Sequence, residues 1–232
     1  MKYITAILIA SLILSCNTVT ERMPYYEVHG IDVSHYQSIV NWDTIAVQKI
    51  DFVFVKATEG EEIADSLFRD NWMNINRVGL KRGAYHFFRP KGSAYKQAQN
   101  FIDNVRLEEG DLPPVLDVEV ADGISAEEIV KSIRAWIEII ENHYQIKPII
   151  YTNLNFYDGY IDQNFDGYPI WIARYNTQKP YLGNKRDWHF WQYGNKGQLP
   201  GIDGFVDFNV FKGTLLDLES ICLSYDPVYS SK

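Results

Sequence analysis

Short apolar runs, rich in β-branched and aromatic residues and bounded by polar turns, recur along the chain from residue 28 onward. They predict strands over 28–33, 52–57, 83–88, 115–119, 148–152, 169–174, 189–193 and 206–211. Helical periodicity fills several of the gaps. After a cap at Asp65, the residues Leu67, Phe68, Trp72 and Ile75 form one stripe that Gly79 stops. A second helix, over 94–105, presents Ala98, Phe101, Ile102 and Val105. A third opens with the capping box Ser125-Ala126-Glu127-Glu128 and carries Ile129, Ile133, Trp136, Ile137 and Ile140. Strands alternating with such helices make a βα repeat, and eight of them predict a closed barrel. Segments 176–187 and 194–204 are rich in Gly, Pro and Asn and too short for a covering helix. The expected fold is therefore α/β, an irregular TIM-like (β/α) barrel of about eight strands with incomplete outer helices. An open doubly wound sheet competes with it. Against that alternative, and against a nucleotide cofactor, no Gly-x-Gly-x-x-Gly or phosphate-binding loop follows the first strand.

The first sixteen residues carry a different pattern, Lys2 followed by the apolar run from Ile4 to Leu14, too short for a permanent span and suited to export. The run ends Ile13-Leu14-Ser15-Cys16, which resembles the bacterial lipoprotein box, where the cysteine becomes the lipidated first residue of the mature chain. An ordinary signal peptide with an incidental cysteine is the plainer alternative. The expected organisation is a signal over 1–16, a tether over 17–27 and one barrel domain over 28–232, held at a membrane, on a face left open, through acylated Cys16. Cys222 is the other cysteine, so with Cys16 lipidated no intramolecular disulfide forms. At 46% hydrophobic and 15% aromatic content the chain can bury a large core without one. The formal net charge of −8 becomes −9 when Lys2 leaves with the signal, which disfavours nucleic acid and other polyanions. A monomer is expected, with no cofactor.

In a barrel of this type, functional side chains gather where the strands end and the βα loops begin. The predicted strand ends carry Asp32 and Ser34, Lys56 and Glu59, Tyr85 and His86, Asp117 and Glu119, Tyr151 and Asn153, Trp171 and Arg174, Gln192 and Tyr193, and Asp207 and Asn209. Asp117 and Glu119 stand two apart in an apolar strand, which places them on one face roughly 6 to 7 Å apart, with Leu116 and Val118 on the other. Paired acids at such a separation suit glycosidic cleavage, one protonating the leaving oxygen while an anion supports the sugar carbon. Converging Asp32, Asp117, Glu119 and Asp207, ringed by aromatic faces, describe a carbohydrate cleft. Duller readings stand beside this one. The acid pair could be structural and partnered by Lys56, and His86 is better read as a packed, hydrogen-bonded histidine than as a base. Trp72 and Trp136 belong to helix stripes, which leaves Trp171 and Trp191 as sugar platforms. No His-x-x-x-His or Cys-x-x-Cys suggests a metal, and no Gly-x-Ser-x-Gly elbow suggests a serine hydrolase.

Seven short motifs, in order over residues 30–213, resemble the family 25 glycoside hydrolases, N-acetylmuramidases often called lysozymes. They are Gly30-Ile31-Asp32-Val33-Ser34, Phe54-Val55-Lys56-Ala57-Thr58-Glu59-Gly60, Gly83-Ala84-Tyr85-His86-Phe87, Leu116-Asp117-Val118-Glu119, Ile150-Tyr151-Thr152-Asn153, Trp191-Gln192-Tyr193 and Val206-Asp207-Phe208-Asn209. The resemblance implies an irregular β/α barrel that hydrolyses the β-1,4 bond between N-acetylmuramic acid and N-acetylglucosamine in peptidoglycan strands. It also implies Glu119 as proton donor, Asp117 as its partner, Asp32 and Asp207 as flanking acids, and Lys56 and Tyr151 as sugar contacts. Tyr85, Trp171 and Gln192 join the expected substrate contacts from their strand-end positions. Two routes stay open, attack by the substrate's own 2-acetamido oxygen with Asp117 orienting it, or activation of water by Asp207 or Asp32. A non-catalytic glycan-binding protein and a chitinase-like hydrolase are the competing functions.

Overall fold

The computed structural model describes residues 19–183 and 186–224. Eight strands close a barrel: β1 (Val28–Val33), β2 (Phe52–Glu59), β4 (Lys81–Phe87), β5 (Val115–Asp117), β6 (Ile149–Asn153), β7 (Ile170–Ala173), β8 (Phe190–Gly197) and β9 (Val206–Phe211). The short β3 (Ile63–Ala64) folds back antiparallel on the end of β2 outside the ring. Neighbours from β1 round to β8 are parallel, whereas β9 runs antiparallel to both β8 and β1 and shuts the barrel. The irregular TIM-like barrel of about eight strands was the expectation, and the reversed direction of the last strand, which the pattern did not foretell, has a physical reason. Parallel pairing needs a crossover of about a dozen residues or more, and the short link between β8 and β9 can only turn the chain back.

Side chains alternate between two cores. Phe52, Phe54, Ile149, Trp171, Phe190 and Phe211 face inward and plug the barrel, while Val53, Val55, Leu116, Val118, Ile150 and Ile172 face the helices. The plug is tightly stacked, with the Phe54 ring 4.3 Å from Trp171 and 5.1 Å from Phe190. Gly30 and Gly83 make room for it: a Cβ on Gly30 would stand 2.3 Å from the Phe52 ring, and one on Gly83 2.6 Å from Phe54.

Helices cover part of the outside. α1 (Trp42–Ala46) is a single turn, α2 (Phe68–Arg77) follows β3, and Ser93 caps α3 (Ala94–Asn104). Ser125 caps α4 (Ala126–Tyr144), whose expected stripe from Ile129 to Ile140 is buried. α5 (Leu154–Phe156) runs into a π-helical turn, Tyr157–Ile161, and α6 (Leu215–Ser220) follows β9. Asp65, expected as the cap of α2, accepts from the Leu67 N–H and also from the His35 ring. Among the described residues no covering helix lies between β7 and β9, as the Gly-, Pro- and Asn-rich composition implied.

The segment before β1 fills that gap. Met23 is only 9% exposed, Tyr26 lies 5.9 Å from Trp188 and 6.1 Å from Trp191, and the Thr20 N–H bonds to the Lys196 carbonyl at 3.0 Å. A Cβ on Gly194 would stand 2.3 Å from Thr20, so the strand is recessed where this strap crosses it. Residues 17–27 were expected to be a free tether. From Thr20 onward they are instead docked, because Met23 and Tyr26 bury apolar strand surface that no helix covers. The signal over 1–16, Cys16 and residues 225–232 lie outside the described residues. No described helix is long and apolar enough to cross a membrane.

Candidate active site

The carboxyl ends of the parallel strands and the amino end of β9 surround a pocket of about 220 Å³. It is lined by all nine expected site residues, Asp32, Lys56, Tyr85, Asp117, Glu119, Tyr151, Trp171, Gln192 and Asp207, joined by Ser34, Tyr36, Phe87 and Tyr175. Asp207 reaches this end from the start of its strand rather than the finish. The reversed direction of β9 brings it directly opposite Asp32 on β1.

These two acids are hydrogen-bonded to each other. Asp32 Oδ2 also accepts from Gln192 Nε2 at 2.9 Å and Asn209 Nδ2 at 2.7 Å. Both amides are held in that orientation by donors on their oxygens. Gln192 Oε1 accepts from the Tyr151 hydroxyl at 2.8 Å and the Tyr175 hydroxyl at 3.1 Å, and Asn209 Oδ1 accepts from Trp171 Nε1 at 2.8 Å. An oxygen already receiving two N–H groups is suited to the ionised form, so the shared proton belongs to Asp207. Burial and the neighbouring Asp32 charge push Asp207 up to about 9. Burial raises Asp32 as well, against the opposing hydrogen bonds from Asn209, Gln192 and Asp207.

Asp117 ends β5 and is buried, and its Oδ1 has no hydrogen-bond partner among the described residues. Burial, then the charge of Glu119, holds its carboxyl well above the usual range, with Lys56 opposing. Glu119 was expected on the same strand, but the ladder stops at Asp117, paired with Tyr151 of β6. One further bond, from the Val118 N–H to the Tyr151 carbonyl at 3.0 Å, carries the chain to the barrel rim, and Glu119 sits half-buried there. Burial and the Asp32 charge raise its pKa, and Arg89 and Lys56 work against them.

Lys56 bonds to Glu59 at 2.6 Å rather than to the acid pair, and Glu59 also holds Arg89 at 2.6 Å. Burial would raise Glu59, but the two cations outweigh it and keep the carboxyl low. An irregularity in the β2–β4 register between Lys56 and Thr58 accompanies this turn of the chain. Trp171, expected as a sugar platform, is 2% exposed and forms the pocket floor, because strand alternation points it into the plug. Trp191 points outward, beneath the strap, with Nε1 on the Arg174 carbonyl at 2.9 Å. His86 is the packed histidine expected of it. It bonds to Thr58 at 2.7 Å and Gln97 at 3.1 Å, stacks on Trp136, and is pushed down to about 4 by burial. Reading strand ends named Asn209 without a role and missed Tyr175, whose one signal was its place just past β7.

The family model for glycosyl hydrolases family 25 matches residues 31–202. A family 25 glycosyl hydrolase from Bacillus anthracis is similar in structure, with a TM-score of 0.84 and 37% identity, covering 90% of this chain and 100% of that one. Protein YegX of Escherichia coli K12 is 42% identical over 200 residues, 84% of this chain and 73% of that one. Lysozyme M1 of Streptomyces globisporus is 33% identical over 206 residues, 81% of this chain and 68% of that one. With the barrel, the acid-lined pocket and the family match in agreement, the chain belongs to glycosyl hydrolases family 25 and is a glycoside hydrolase.

Proposed function

We propose that the protein is a muramidase that cleaves the β-1,4 bond between N-acetylmuramic acid and N-acetylglucosamine in peptidoglycan, with Glu119 as proton donor and Asp117 assisting. The similar proteins named lysozyme support the substrate class. The observation that carries the residue roles is the contrast between the two acid pairs. Asp32 is saturated by amides and Asp207 keeps the shared proton, so neither is ready to activate water. Asp117 and Glu119 instead line the pocket, and the buried Asp117 Oδ1 has no hydrogen-bond partner among the described residues.

In this reading Lys56, Tyr85, Tyr151, Trp171 and Gln192 shape the sugar subsite, and the substrate's acetamido N–H bonds to the Asp117 carboxylate. That bond favours ionised Asp117, and the repulsion between neighbouring acids then leaves the proton on Glu119. Glu119 donates it to the leaving oxygen as the acetamido oxygen closes on the anomeric carbon. Asp117 stabilises the cationic ring until water opens it with retention. Export and lipidation of Cys16 complete the proposal, supported by the leader sequence alone.

The test is mass spectrometry of the products from purified peptidoglycan, in which muramic acid is expected at the new reducing end. Glu119→Gln is expected to lower kcat by at least about 10²-fold, the usual contribution of a general acid, with an unchanged urea midpoint. Near wild-type release by the folded variant overturns the role of Glu119, and a first-formed α anomer in proton NMR overturns retention.

A further inference from the structure

We infer that the groove between the strap and the β7–β8 edge is a second binding site, which takes the acidic peptide stem borne by muramic acid. The inference rests on peptidoglycan as substrate. The groove has a volume of about 960 Å³, against about 220 Å³ for the catalytic pocket. Tyr175 lines both cavities, and its hydroxyl is fixed on Gln192, the residue that holds Asp32. A chain leaving a sugar seated in the first has only the Tyr175 side chain to cross to reach the second.

The chemistry of the walls selects the occupant. The chain as a whole carries a formal charge of −8, yet Lys179 and Lys196 line this groove against one acid, Glu21, while the Arg22 guanidinium turns to the Lys49 carbonyl at 3.0 Å and the Phe208 ring. A stem peptide, joined to the lactyl group of muramic acid, is short, extended and rich in carboxylates, which matches a cationic trough. Aromatic surface suits its small apolar side chains, and Tyr25, 92% exposed, stands at the edge with no packing role. One wall is the strap, residues 19–26, which precedes the span of the family match at 31–202.

The site is tested by calorimetric titration of the full chain with the free stem tetrapeptide L-alanyl-γ-D-glutamyl-meso-diaminopimelyl-D-alanine. Wild type is expected to bind, and Lys179→Glu to weaken binding by at least about tenfold, the value of one charge-assisted hydrogen bond. Tyr25→Ala, at a residue with no packing to lose, is expected to weaken it as well. In hydrolysis assays Lys179→Glu is expected to raise KM on peptide-bearing glycan and to leave kcat and KM on amidase-stripped glycan unchanged. Absence of peptide binding by wild type, unaltered binding by both variants, or equal loss on both glycans overturns the site. So does preferential binding of anionic phospholipid vesicles that the peptide fails to displace. Peptide binding without cleavage of stripped glycan leaves the site standing and removes the muramidase reading, so the two failures are separable.

Discussion

Replacing Asp207 by asparagine isolates the shared proton of the Asp32–Asp207 pair. In the folded wild type the pair keeps one proton from the usual aspartate range near 3.8 up to about 9. The unfolded chain releases that proton just above pH 4. Between these limits the native state binds one more proton than the unfolded state. Stability therefore falls as pH rises, by about 1.4 kcal/mol per pH unit from this pair. An asparagine retains an N–H donor toward Asp32 and carries no titrating proton, so this component of the slope disappears. From pH 6 to pH 8 the variant is expected to gain roughly 2.7 kcal/mol relative to wild type, twice the per-unit slope. The sign is fixed by the raised pKa: the penalty is absent below the unfolded value and complete only above the folded one. Urea denaturation at pH 6, 7 and 8 reads it as a difference of midpoints at constant m. Parallel pH dependences for the two proteins would refute a proton held between these carboxyls.

Lys56→Met removes a cation that favours the charged forms of Asp117 and Glu119, so Glu119 is expected to keep its proton to higher pH. The basic limb of kcat/KM then moves upward, and a limb that stays or moves down contradicts the assignment of the acid. Phe54→Ala opens a void against Trp171, Phe52 and Phe190 and is expected to cost about 3 to 5 kcal/mol in urea denaturation. A loss below about 1 kcal/mol would mean that the barrel interior is not the packed plug described. Gly194→Ala drives a methyl into Thr20 and is expected to increase proteolytic cleavage before β1 and to lower the urea midpoint, because undocking bares the surface that Met23 and Tyr26 bury; equal cleavage rates would show that the strap is not held there.

The strand positions were legible because each is a compact apolar run, and the gathering of their polar ends followed from barrel geometry alone. Strand direction was not, since alternation reads the same forward and backward. Asp207 was thus placed at the correct end of the barrel although its strand runs the other way. The partition inside the acidic cluster was also hidden. That Asp32 is occupied by Gln192 and Asn209 depends on hydrogen bonds across more than a hundred and fifty residues of sequence. Glu119 looked like a strand residue because Val118 continues the apolar alternation, whereas the ladder had already ended. The docking of Met23 and Tyr26 left little trace, because their stretch is polar and aperiodic and only the bare surface of Trp191 and Trp188 recruits it.

That docked stretch sets a length scale for the proposed lipoprotein. Had residues 17–27 hung loose, the enzyme could have ranged some tens of ångströms from its acyl chains, at about 3.5 Å per residue. With Thr20 pinned to the Lys196 carbonyl, only the four steps back to Cys16 remain as leash, about 14 Å when fully drawn out. An enzyme moored in that way would work within that short leash and its own diameter of the bilayer, and its choice of substrate would become a matter of depth as much as of chemistry.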